Sequence, residues 1–189
     1  MQLISRAVCV ASIVLLGTAG TGCSGDDSPS PTPSTSAQVN GRGLAKDVPT
    51  GFDPCTDIPV QLLIEENLTG KKPTTTDAPG GVMWKGCIWV YKGGGGYTLS
   101  ARMTNLTVDM IRDRHFPDEA LFTVGTRRAV VARQIEGTDT CMVNVDLRGG
   151  SIEFKVLNPP SGRDTGHLDS CELTRTLTEK IAPSIPTSL

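Results

Sequence analysis

The sequence predicts an α+β domain: an antiparallel sheet of about five strands with helices packed on it. Three observations predict it. Alternating side chains recur in two hairpin pairs, 86–91 with 97–105 and 141–147 with 152–156. Stretches of helical spacing precede, divide and follow those pairs, the last over 168–182. Four cysteines sit at element starts, Cys55 and Cys171 beside helices and Cys87 and Cys141 on strands.

The chain has 189 residues, room for one domain and a tail. We divide it into a leader (1–22), a tether (23–47) and a single disulfide-bonded domain (48–189). A core of about 140 residues buries roughly two-thirds of its unfolded surface, so no metal is needed to hold it. The net charge of -2 offers no basic excess for phosphates. Aromatics are only 4%, too few to stack single strands, so a nucleic-acid partner is not expected.

Arg6 and the apolar run 7–16 form the charged and hydrophobic regions of an export signal. The run is too short to span a bilayer, which takes about 20 apolar residues. Its end, Ala19-Gly20-Thr21-Gly22-Cys23, resembles a bacterial lipobox, in which cleavage precedes the cysteine and the thiol carries diacylglycerol. Gly20 departs from that pattern, where an aliphatic residue is usual. Cys23 is therefore the expected lipid-attachment site, and two or three acyl chains such as palmitate anchor firmly where one does not. Cys9 leaves with the leader. The Pro/Ser/Thr tract 28–36 has no apolar period and builds no core. At about 3.1 Å per residue the tether reaches at most ~75 Å from the membrane.

In the domain, Pro59 suits a first helical turn, Val60, Leu63, Ile64 and Leu68 recur at helical spacing, and Gly70 is the expected stop. Residues 71–81 read as polar turn with a short edge strand at 74–76. The first hairpin turns at 93–96, and Leu99, Ala101 and Met103 share the buried side of its second strand. Thr107 is the expected N-cap of a helix through Ile111 and Arg114, ended by Pro117. The continuous apolar centre of 127–134 marks an interior strand. The second hairpin turns at Gly149-Gly150. Leu173, Leu177 and Ile181 are the stripe of the last helix, which Pro183 ends.

Asp53-Pro54-Cys55 before a short helix, Gly86-Cys87-Ile88-Trp89 on a strand, Cys141 opening another, and Cys171 in a terminal helix running to Ile185-Pro186 form an ordered set. With the lipobox, the set resembles an actinobacterial lipoprotein family of mycobacterial and nocardial type, catalogued as a domain of unknown function. The likeness covers residues 51–186; the Pro59 region departs from it in lacking a small-residue-rich helix. The layout is also similar to PsbP and Mog1-type sandwiches. The family implies an envelope location and a cysteine pairing but no activity. Four exported cysteines allow three connectivities, and spacing alone does not choose. Joining each helix to its neighbouring strand selects Cys55 with Cys87 and Cys141 with Cys171.

No catalytic motif is visible. There is no Gly-x-Ser-x-Gly elbow, no CxxC and no cysteine pair at metal-ligand spacing, so no catalytic residue, metal or cofactor is expected. His115 and His167 stand apart as surface or capping residues. Residues 93–96 lack the Gly-Lys-Ser/Thr ending of a phosphate loop. Asp109, Asp113, Asp118 and Glu119 alternate with Arg112 and Arg114 as a solvated face, and Arg127, Arg128 and Arg133 read as charge on a sheet edge. Trp84 and Trp89 read as core. The expected function is a noncatalytic binding or interaction module, lipid-anchored on the extracytoplasmic face of the cell membrane, for an envelope ligand or protein. The alternative is an envelope hydrolase with a site built from scattered acids.

Overall fold

The computed structural model describes residues 43–134, 137 and 139–189. The leader, Cys23 and the tether up to residue 42 lie outside the described residues. The sheet has seven strands, all antiparallel, in the order β1-β2-β3-β7-β6-β5-β4. They are β1 (Leu68–Ala78), β2 (Val82–Tyr91), β3 (Thr98–Thr104), β4 (Ala120–Val124), β5 (Arg127–Arg133), β6 (Thr140–Leu147) and β7 (Gly150–Leu157). Among the described residues helix is confined to α1 (Pro54–Asp57), α2 (Val60–Glu65), α3 (Val108–Arg112), α4 (Ser170–Ile181) and two 3-10 turns.

This corrects the expected α+β layout of about five strands. The two additional strands are sheet edges: β4 was not expected at all, and β1 was expected only as a short edge strand at 74–76. An edge strand in water needs no buried face, so its residues carry no alternation. β1 buries fully only Leu68, its first residue, and β4 only Val124, its last. Lys71, Lys72 and Pro73 on β1 also discourage pairing with a further chain. α2 is shorter than expected because Asn67 turns the chain at φ 55 and β1 takes over at Leu68.

The interior strands follow the alternation. Leu99, Ala101 and Met103 face the main core with Val143, Val145, Ile152 and Phe154. α4 closes this face over β5, β6 and β7, burying Leu177 and Ile181. Asp169 caps α4, its carboxylate accepting from the backbone N–H of Cys171 and Glu172 at 2.8 and 3.0 Å. Thr174 and Thr178, also buried, return their hydroxyls to the carbonyls of Ser170 and Thr174. The second hairpin turns through Arg148 and Gly149, with Gly149 at φ 82 and Gly150 already paired to Leu147.

The opposite face is more polar. α3, capped by the Thr107 hydroxyl, covers Val130, Ala132 and Met142 together with Leu44. Beside it Arg102 Nε and Nη2 donate to Glu153 Oε1 at 3.2 and 2.5 Å, and the guanidinium lies over the Trp84 ring at 5.6 Å. Trp89 is core as expected, whereas Trp84 is half-buried on this second face. The tether was expected to run to Asp47, yet Leu44 is 3% exposed and Asn105 Nδ2 donates to the Ala45 carbonyl at 2.9 Å.

An apolar groove beside the first disulfide

Pro54 opens α1, where its missing N–H costs nothing, and the Asp53 carboxylate accepts from the Cys55 N–H at 2.9 Å. Asp57 returns the cap by accepting from the Asp53 N–H at 2.8 Å. That backbone bond, with one from the Thr56 hydroxyl, holds the Asp57 carboxyl below its ordinary range. Pro59 then redirects the chain into α2. Cys55 is joined to Cys87 of β2, which fixes this helical lobe to the sheet.

After α2, Gly70 takes φ 66 inside an irregularity of β1 between Thr69 and Lys72. Glycine is favoured there twice over: the backbone is left-handed, and a Cβ would stand 3.3 Å from Val90 Cγ2. The bulge turns Lys71 back over the lobe, where its ammonium donates to the Cys55 carbonyl at 3.1 Å. The turn between α2 and β1 is tied down elsewhere. Tyr97 Oη donates to the Glu66 carbonyl at 3.1 Å, the Lys92 N–H donates to the Asn67 carbonyl at 2.7 Å, and Glu66 pairs with Lys180 of α4. Burial, with the Glu66 carboxylate nearby, pushes the Tyr97 phenol well above its ordinary range, so it stays a donor.

Between α2 and β1 lies a groove of about 510 Å³. Ile58, Leu63, Leu68 and Trp89 are its buried floor. Val60 and Ile64, one helical turn apart, stand on its rim at 70% and 61% exposure. Lys71 is the single charged residue of the lining. The Thr56 hydroxyl donates to Asp57 at 2.9 Å. The lining holds no histidine and no carboxylate.

The other singled-out residues lie away from the groove. Arg128 pairs with Asp109 at 2.8 Å and Asp146 at 3.2 Å, and Arg112 with Glu119 at 3.4 Å. Arg133 pairs with Asp118 at 2.8 Å and Asp169 at 2.5 Å, and Arg127 donates to the carbonyls of Asp146 and Pro186. Asp109, Asp118, Asp146 and Asp169 therefore serve arginines of β5, which lies second from the sheet edge, and Glu119 serves Arg112 of α3. His167 lines a recess of about 400 Å³ with Arg133 and Asp169, and His115 sits at φ 52 after α3. Cys141 of β6 and Cys171 of α4 are bonded, as are Cys55 and Cys87. Among the described residues no group of three His, Cys, Asp or Glu is placed to hold a metal, and no helix is long and apolar enough to cross a membrane.

Sequence reasoning did not find the groove. Helical spacing identified Val60, Leu63 and Ile64 as a stripe, but not that Val60 and Ile64 stay exposed among the described residues. The fold and this groove define a disulfide-braced antiparallel-sheet domain with an apolar groove at one edge. The chain belongs to the family of proteins of unknown function DUF3558, whose model matches residues 17–184. No curated protein and no solved structure matches it.

Proposed function

We propose that the protein is a noncatalytic binding module of an actinobacterial cell envelope, held on the outer face of the membrane by lipid on Cys23, and that it binds through the groove between α2 and β1. The observation that carries this reading is the exposure of Val60 and Ile64 above a buried apolar floor. Large apolar side chains displayed together mark a contact surface, and an apolar pocket with few polar groups is the usual form of a ligand site. The export leader and two paired disulfides support an oxidising location. The hydrolase alternative has less support, since Asp109, Asp118, Glu119 and Asp169 are each engaged by arginine. A likeness in layout to PsbP and Mog1-type sandwiches belongs to the same proposal and names no ligand.

A photo-crosslinking residue at position 64 of the lipidated protein, in its own membranes, tests the site. An adduct is expected there and not from position 121, an equally apolar exposed position on β4 at the far edge. Identical adducts from both positions, or none from 64, would overturn the assignment. Cys23→Ala is expected to leave the membrane fraction or retain its leader; a variant that both fractionates and migrates like wild type would refute the anchor.

A further inference from the structure

We infer that the groove takes a single-chain anionic amphiphile, its acyl chain on the apolar floor and its anionic head on the Lys71 ammonium. This rests on the groove being the binding site. The floor of Ile58, Leu63, Leu68 and Trp89 offers an acyl chain nothing but apolar contact. At about 30 Å³ per water-sized group, the volume of about 510 Å³ holds roughly 17 such groups, the size of one long acyl chain.

The charge of the head follows from Lys71. An ammonium has three donors, and the Cys55 carbonyl accepts one. Among the described residues no carboxylate stands within ion-pair distance of it. Lys72 does not share the task. It is paired to Ile88, whose side chain belongs to the opposite face from Cys87 and Trp89. The apolar recess of about 470 Å³ beneath residues 48–54 makes the contrast, because its lysine, Lys85, already has Asp47 at 3.7 Å. Of these two recesses, the α2 groove is the one that combines an apolar floor with a cation that has no acid partner among the described residues. A carboxylate and a phosphate are both suited to it.

Titration of the oxidised protein with octanoate, decanoate and dodecanoate below their micellar concentrations, followed by tryptophan fluorescence and calorimetry, tests the inference. Affinity is expected to rise roughly two- to fourfold per methylene, as burial of apolar chain requires. Lysophosphatidylglycerol serves as the phosphate arm, and the tighter of the two anions names the source. Lys71→Gln is expected to weaken both about tenfold, and Ile64→Asp to abolish binding while leaving the melting temperature within a few degrees. Dodecyltrimethylammonium binding as tightly as dodecanoate, no dependence on chain length, or wild-type affinity in Lys71→Gln overturns the ligand class. So does a position-64 adduct that is protein and not lipid, but that outcome leaves the groove as the binding site. Absence of any adduct at 64 removes the site itself.

Discussion

Glu153 is 4% exposed in the middle of the sheet, and its charge is tolerable only because Arg102 holds it. Removing one partner strands the other, so Glu153→Ala is expected to cost about 3 kcal/mol in urea unfolding. The double change Arg102→Met with Glu153→Leu is expected to cost less than Glu153→Ala alone. A larger loss in the double variant would mean that the pair contributes net stability. Asp169 acts at the surface and differently. Burial alone would raise its pKa, but the Arg133 guanidinium and the N–H groups of Glu172 and Cys171 outweigh burial and hold it below the ordinary value. A carboxyl depressed in the folded state stabilises above its unfolded pKa, and that stability is lost as pH falls through the folded pKa. Asp169→Ala should therefore cost about 1 kcal/mol at neutral pH through the lost cap, with the deficit narrowing in acid. A deficit constant from pH 7 to pH 2 would contradict the assignment.

At the scale of elements, the N-terminal segment is where sequence and structure part most usefully. Residues 24–47 carry no apolar period, which predicts that a chain starting near Lys46 keeps its full stability. The structure reverses this for the last of them. Leu44 fills the core beneath α3, and the fully buried Asn105 donates to the carbonyls of Ala45 and Gly81 at 2.9 and 2.8 Å while accepting from the Met83 N–H. Starting at residue 46 empties the Leu44 site and removes one acceptor of a buried amide. The expected loss is about 2–4 kcal/mol, or roughly 5–12 °C in melting temperature, against none for a start at residue 43. Equal melting points would show that Leu44 contributes nothing. The same physics governs what was legible elsewhere. β3, β6 and β7 announced themselves because the sheet core selects every second residue. β4 did not, and β1 did so only over 74–76, because an exposed edge selects only against aggregation. Leu44 is a lone apolar residue, and no period exists to detect it. The groove was half legible: its floor appeared as the stripe through Leu63 and Leu68, while the bare rim at Val60 and Ile64 depends on what the rest of the chain fails to cover.

For the whole molecule the two disulfides invite a comparison. Both join a helix to a strand, with the strand sulfur fully buried and the helix sulfur half-buried. Their sequence separations are 32 and 30 residues, so the unfolded chain is constrained almost equally by each. On the chain-entropy account each contributes about 3.5 kcal/mol, a large share of the 5–15 kcal/mol typical of a domain. Cys55→Ala with Cys87→Ala and Cys141→Ala with Cys171→Ala are thus expected to lose similar stability, within about 1 kcal/mol of each other. Their effects on binding should differ. Cys55 lies in the groove wall, and its carbonyl holds Lys71, so freeing α1 loosens both the floor and the cation. Cys171 sits in the first turn of α4, on the other half of the sheet, away from the groove. Under conditions where both variants remain folded by far- and near-ultraviolet circular dichroism, dodecanoate affinity should fall only when the first pair is removed. Parallel losses of affinity in both variants would mean that the groove depends on the stability of the whole domain and not on the local brace, and that α1 and α2 keep their places on the sheet without Cys55.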